Sequence, residues 1–302
     1  MNVERILAFA KKEKGGPVMR LEGLKAEYGH DFDGTNFYYG INETNKKTFE
    51  HGGNALNGTH TAFFNDMRDA LLGGEANEKI VVLGLEPPQV DAPYLFVDAN
   101  LNLVTQLAVE LNTYQRSAAE NGKVLRIVIR YASEMNDRKL SSAPNAGNRY
   151  AGDPESYKRS FQTVREVFRN NAPNVEFAFS PAIRRDLMEP GLSAYWPGDS
   201  HVDVISCTWY IGSENDFKRG AVFFQSYILH REMKGKPFGI DELGGCETVG
   251  PGKGKNNDAF LQRMFEKIVD LEDEGIRFSY VTIFLESKWG TDAKLKWLPD
   301  ND

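Results

Sequence analysis

The chain has 302 residues, 41% of them hydrophobic and 26% charged, which is enough apolar material for a large core and speaks against intrinsic disorder. Its net charge of −7 is spread along the sequence without a basic stripe, which argues against nucleic acid as a partner. No run of about 18 apolar residues occurs, and the opening MNVERILAFAKKEKGG lacks a signal-peptide core, so a soluble chain with no membrane association is expected, secreted with a leader removed in preference to cytoplasmic.

In chain order, short β-rich runs alternate with helical periodicity over nearly the whole length. The predicted strands cover residues 17–21, 36–42, 80–86, 125–131, 175–180, 202–208, 237–242 and 278–285. Runs such as IVVLGL and VLRIVIRY are apolar almost throughout, as a parallel sheet covered by helices requires. After the third strand, Leu101, Val104, Ala108 and Leu111 recur at helical spacing within residues 98–120, and Asn121-Gly122 supplies the stop. Asp153-Pro154 reads as an N-cap with proline at the first helical position, followed by the stripe Tyr157, Phe161, Val164 and Phe168. Leu261, Met264, Phe265, Ile268 and Leu271 form a further stripe that ends before Gly275. These stripes are core-facing surfaces and carry no cofactor pattern.

Eight such units either close into a barrel or stay open as a doubly wound sheet. An open dinucleotide-binding sheet needs a GxGxxG turn after its first strand, and Leu21-Glu22-Gly23-Leu24 offers a single glycine there. The predicted fold is therefore α/β, a (β/α)8 TIM barrel, and no linker or repeat divides residues 1–302 into more than one domain. The longest gaps, residues 43–59, 137–152 and 182–200, all follow strand C-termini, the face on which barrels carry function.

Two glutamates stand at such ends. Glu134 lies just past RIVIRYAS and Glu242 closes KPFGIDE, on the predicted fourth and seventh strands, across one barrel mouth from each other. Retaining glycoside hydrolysis needs two carboxyl groups about 5 to 5.5 Å apart, one protonated to assist the leaving oxygen and one ionised to attack the anomeric carbon. Arg130, four residues before Glu134, would favour an ionised Glu242 if its guanidinium sits beside it. Asp241 competes with Glu242, and because residues alternate faces along a strand only one of the two is expected to point into the mouth. With 43 Asp and Glu in the chain, position alone does not single out this pair; the surrounding sequence does.

The segment Arg130-Tyr131-Ala132-Ser133-Glu134-Met135-Asn136 resembles the acid/base strand of glycoside hydrolase family 26, whose usual form is Arg, two residues, then His-Glu-Met-Asn. The likeness continues, in order, through Ser180-Pro181, Tyr195-Trp196-Pro197-Gly198-Asp199, Val202-Asp203-Val204-Ile205 and Tyr210 to the Lys236-Pro237 … Glu242-Leu243-Gly244 strand, with Glu86 of GLEPP at the end of the third strand and Trp289 near the end of the eighth. It spans residues 79 to 289. The resemblance implies a retaining endo-β-glycosidase of a β-linked polysaccharide, mannan first, with β-1,3-xylan, mixed-linkage glucan or an exopolysaccharide as alternatives. It implies Glu134 as acid/base and Glu242 as nucleophile, with Arg130 and Tyr210 positioning the nucleophile. Around the substrate it sets Arg130, Asn136, Tyr210, Trp289, Glu86 and Trp209, and flat aromatic faces such as those of Tyr210, Trp209, Tyr195, Trp196 and Trp289 suit pyranose rings. Two departures stand out: Ser133 replaces the family's histidine, and Asp137-Arg138-Lys139-Leu140-Ser141-Ser142 replaces its tryptophan-rich stretch. They motivate a rival reading, a carbohydrate-binding barrel that has lost activity.

No cofactor and no metal is implied, since the five histidines show no HExxH spacing and Gly250-Pro251-Gly252-Lys253-Gly254-Lys255 lacks the phosphate-loop pattern. An aldolase or isomerase barrel would need a Schiff-base lysine or phosphate site, and none is evident. Cys207 and Cys246 lie near neighbouring strand ends, where free thiols are favoured over a bridge, and Asn42 and Asn57 begin short glycosylation sequons. A monomer acting on a poly- or oligosaccharide is the expected state.

Overall fold

A computed structural model describes residues 6–9, 34–41, 78–88, 92–137, 150–183, 191–211, 235–245 and 258–284. Its strands are β1 (Ile6–Phe9), β2 (Gly34–Gly40), β3 (Glu78–Glu86), β4 (Val124–Tyr131), β5 (Glu176–Phe179), β6 (Val204–Ile205), β7 (Thr208–Ile211), β8 (Phe238–Gly245) and β9 (Phe278–Phe284). All pairings are parallel, in the order β6-β5-β4-β3-β2-β1-β9-β8-β7, and an added β6–β8 pairing at Ile205 and Phe238 closes the ring. β6 and β7 are successive pieces of one stave, interrupted at Ser206 and Cys207, so the nine strands make the eight staves of a (β/α)8 barrel.

The structure adds one strand and splits another. The first stave is Ile6–Phe9, which pairs with both β2 and β9; the predicted strand at residues 17–21 lies outside the described residues. The apolar run ILAF, set between Arg5 and the KKEK cluster, is short enough to be overlooked, yet a fully buried parallel strand has this continuous apolar character. The sixth predicted strand, 202–208, is split and extends to Ile211, which brings Tyr210 into a strand.

Along each stave alternate residues face the barrel interior. Ile80, Val82, Val128, Ala178, Val204 and Tyr280 form a separate buried cluster there, while their neighbours Val81, Leu83, Ile127, Ile129, Phe177 and Ile205 join the larger core beneath the helices. The same period places Arg126 and Arg130 inside, on either side of Val128. Arg126 makes a bidentate pair with Glu176, each bond 2.7 Å, on the N-terminal side of the apolar layer. Arg130, fully buried, lies on the C-terminal side.

The described helices are α1 (Pro93–Ala99), α2 (Leu101–Glu120), α3 (Pro154–Asn171) and α4 (Asp258–Asp273). Asp153 caps α3 by accepting the Ser156 amide at 3.1 Å, and Tyr157, Phe161, Val164 and Phe168 are buried as one stripe. Val104, Ala108 and Leu111 of α2 and Leu261, Met264, Phe265, Ile268 and Leu271 of α4 are buried in the same way, and Gly275, with φ of 97°, follows the end of α4. Among the described residues no helix is long and apolar enough to cross a membrane.

Candidate active site

The C-terminal rim gathers residues from five staves. Arg130, near the end of β4, sends Nη1 to Glu242 Oε1 at 2.5 Å and Nη2 to Thr208 Oγ1 at 3.1 Å. The Tyr210 hydroxyl donates to the other oxygen of Glu242, Oε2, at 2.6 Å. Both partners are donors, so they complement a carboxylate, and Glu242 keeps 12% of its side chain exposed. Thr208 and Tyr210 reach inward because the stave alternates; Ile205, Cys207 and Trp209 face outward into the large core.

That alternation overturns one expectation. Trp209 has no exposed surface, so its ring cannot stack on a sugar. Tyr195 is likewise core, its hydroxyl accepting the Gly152 amide at 2.7 Å, and Trp196 packs edge-on against Phe179 at a 5.2 Å centroid separation.

A second expectation, that only one of Asp241 and Glu242 faces inward, is also corrected. Along β8, Ile240 lies opposite Val281 whereas Leu243 lies opposite Ile283, a register slip of one residue. A β-bulge at this point breaks the alternation, so two successive side chains project to the same side. Asp241, with no exposed surface, accepts from Ser180 Oγ at 2.5 Å, Ser206 Oγ at 2.5 Å and Tyr280 Oη at 2.6 Å, and Arg130 Nε is 3.6 Å from its Oδ2. Gly239 is what lets Tyr280 approach: a Cβ there would lie 2.4 Å from the tyrosine ring. Asp241 is thus a buried counter-charge beneath Arg130, and Glu242 is the carboxylate presented to the rim.

Glu134 sits on a tight turn just past β4. Ala132 and Glu134 both have left-handed backbone, φ of 48° and 55°, a conformation costing about 1–2 kcal/mol per non-glycine residue. Main-chain bonds hold the turn from both sides: Ala132 N to Leu85 O at 3.0 Å, Glu134 N to Ser180 O at 2.8 Å and Asp137 N to Glu134 O at 2.8 Å. Asn136, expected near substrate, uses both ends of its amide on the Ala182 main chain, at 2.9 and 3.0 Å, and braces this turn against the segment after β5. Ser133 Oγ donates to Glu86 Oε1 at 2.5 Å, tying the turn to the end of β3.

Burial, and next the negative charge of Glu242, push Glu134 up to about 7, partly offset by Arg130. Glu86 is raised by burial, against the Ser133 bond and Arg130, which lower it. A carboxyl pushed up toward neutrality therefore shares the rim with one gripped by a cation and a hydroxyl. This is the asymmetry that acid-assisted glycosyl transfer requires.

Trp289, Cys246, Asn42, Asn57 and the glycine-rich segment 250–255 lie outside the described residues. Cys207 is a free, buried thiol raised by burial. Among the described residues no group of three or more His, Cys, Asp or Glu side chains is arranged to hold a metal ion. Sequence reading passed over Thr208, Ser206, Tyr280 and Gly239; extending the two-residue period of each predicted strand would have found the first three.

No sequence-family model and no curated protein matches the chain. Solved structures do. A double mutant of the Cellulomonas fimi endo-β-1,4-mannanase superposes with a TM-score of 0.64 at 16% identity over 93% of this chain, which spans 64% of that protein, just under two thirds of its length. A family 26 β-mannanase from Bacteroides ovatus gives a TM-score of 0.63 at 17% identity, covering 94% of this chain and 80% of the other. A β-mannanase from a symbiotic protist of the termite Reticulitermes speratus, solved with a gluco-manno-oligosaccharide, gives 0.54 at 12% identity over 94% of this chain and 80% of its own. At these identities the likeness is one of architecture, and that architecture is the (β/α)8 barrel of the family 26 β-mannanases.

Proposed function

We propose that this protein is a retaining endo-β-glycosidase that cleaves a β-linked polysaccharide, β-1,4-mannan or glucomannan first, by double displacement. The observation that carries the reading is geometric: Glu242 is gripped by Arg130 and the Tyr210 hydroxyl at the rim that also carries Glu134, whose carboxyl is pushed up by burial and by the Glu242 charge. In the first step a Glu242 oxygen attacks the anomeric carbon while Glu134 gives its proton to the departing glycosidic oxygen. In the second, the ionised Glu134 takes a proton from water, which attacks the anomeric carbon and releases Glu242. Arg130 Nη1 and the Tyr210 hydroxyl, each on a different oxygen, orient the nucleophile and strengthen its charge-assisted contacts as the glycosyl-enzyme breaks down. Mannan stands first because the neighbours above carry that activity in their descriptions and one was solved with a gluco-manno-oligosaccharide.

The test is a panel of mannan, glucomannan, β-1,3-xylan, mixed-linkage glucan and bacterial exopolysaccharide scored for new reducing ends. Glu242→Ala is expected to lose release altogether, and Glu134→Ala to regain turnover of an activated aryl glycoside when azide is added. Failure to release sugar from any glycan, with Glu242→Ala binding glycan as tightly as the parent, would establish the binding-barrel alternative that Ser133 suggests.

A further inference from the structure

We propose that Glu86 is a positioning residue for the general acid, acting through Ser133 to hold the left-handed turn that carries Glu134. The inference rests on the reading of Glu134 as that acid and deepens it, because it moves Glu86 from sugar contact to the support of the acid.

The turn at residues 132–134 is costly backbone, and it is held between β3 on one side and the segment after β5 on the other. On the β5 side the ties are Glu134 N to Ser180 O, at 2.8 Å, and the paired Asn136 bonds to Ala182. On the β3 side they are Ala132 N to Leu85 O, at 3.0 Å, and Ser133 Oγ to Glu86 Oε1, at 2.5 Å. The Glu86 tie involves the residue directly before Glu134, and the Ser133 main-chain N–H joins its hydroxyl in donating to the Glu86 carboxyl. Its acceptor is fixed in place: Gly40 pairs with Glu86 in register, and the Glu86 carbonyl accepts from Ile41 N at 2.8 Å. A serine at 133 suits this geometry because its hydroxyl is one bond from Cβ and reaches the carboxyl at the end of the neighbouring strand.

Glu86 also acts on Glu134 by charge. The groups that bear on the acid are Glu242 from β8, Arg130 from β4, Asp137 from its own turn and Glu86 from β3. Those bearing on Glu86 are Ser133, Arg130 and Glu242. The charge of an ionised Glu86 is the smallest of these influences on Glu134, so removing it moves the acid's ionisation slightly to lower pH. Geometry and charge are separable: glutamine keeps an acceptor for Ser133 and removes the charge, whereas Ser133→Ala keeps the charge and the main-chain bond and removes the hydroxyl bond.

The experiment compares the full chain with Ser133→Ala, Ser133→Thr, Glu86→Gln and Glu86→Ala on a polysaccharide, whose leaving group needs acid assistance, and on a dinitrophenyl β-glycoside, whose leaving group does not. Thermal unfolding of each variant identifies any that fails to fold. A displaced acid is expected to lower kcat on the polysaccharide by roughly tenfold to a hundredfold for Glu86→Ala, which loses both bonds, and by a smaller factor, roughly threefold to tenfold, for Ser133→Ala, which keeps the main-chain one, with dinitrophenyl glycoside turnover and KM little changed. Ser133→Thr restores the rate. Glu86→Gln retains it and moves the alkaline limb of kcat/KM to lower pH. If Glu86→Gln and Glu86→Ala instead raise KM on both substrates while Ser133→Ala has parental kinetics, Glu86 contacts sugar and the proposal is wrong. Should Glu134→Ala itself leave polysaccharide turnover intact, the acid assignment fails first, an outcome distinct from either of these.

Discussion

Glu242 has both of its oxygens engaged by donors of different kind, Arg130 Nη1 on one and the Tyr210 hydroxyl on the other. A hydrogen bond to a charged group contributes about 1.5–3 kcal/mol. Under the proposed mechanism, if half or more of that is realised only as Glu242 departs, Tyr210→Phe lowers kcat by roughly tenfold with a smaller change in KM, measurable by steady-state kinetics; an unchanged kcat would mean the tyrosine is a bystander. At Gly239 the constraint is steric. An added methyl would lie 2.4 Å from a tyrosine ring whose hydroxyl is tied to Asp241 at 2.6 Å, so neither side can retreat without breaking the buried network under Arg130. Gly239→Ala is expected to lose about 1–3 kcal/mol in urea unfolding, and parental stability would show that Tyr280 has room to move. Trp209 teaches the opposite lesson about residues: an aromatic next to an inward-facing tyrosine on a strand faces away from it, which places this one in the core.

The helices were the easiest elements to read because amphipathic periodicity is a local signal and their stripes bury against one layer. The α3 N-cap is an example: Asp153 before Pro154 fixes the start, and its carboxylate accepts the Ser156 amide. Replacing Asp153 by Ala is expected to cost about 1 kcal/mol, seen as a lower thermal midpoint with kinetics unaffected, since the bond it makes is to the first turn of α3 and to none of the rim carboxyls. Strands were harder at two places. β1 is only four residues, ILAF, and its place as the first stave comes from pairing with β2 and β9, distant in sequence. The bulge in β8 has no sequence mark, yet it turns the adjacent carboxylates Asp241 and Glu242 to the same side, one buried against Tyr280, Ser180 and Ser206 and one offered at the rim. A regular strand would have sent one of them into the outer core, where an unpaired carboxylate is costly.

For the whole molecule, the raised Glu134 links function to stability. The folded chain holds this proton up to about pH 7, against 4.5 for an ordinary glutamate. Between these values the folded state binds a proton that the unfolded chain has released, so stability falls as pH rises through the window, and the full penalty is present above it. Glu134→Gln removes the titration. Its gain in unfolding free energy is expected to be absent near pH 4 and to grow to on the order of 2 to 3 kcal/mol by pH 8, followed by urea denaturation at each pH; a pH-independent difference would mean the proton is not held. Under the proposed mechanism the same group would set the alkaline limit of activity, expected near pH 7, because the acid must be protonated for the first step.

By itself the sequence determined the alternation of strands and helices, the closed barrel as the form that fits it, and the two glutamates at strand ends, since these rest on local periodicity and on position along a stave. Tertiary structure decided which neighbours share a face and which groups share a proton. Arg130 meets Glu242, Thr208 and Asp241 only because staves distant in the chain close around one interior. The raised pKa of Glu134 exists only where burial and a second carboxylate act together, and no window of sequence contains both.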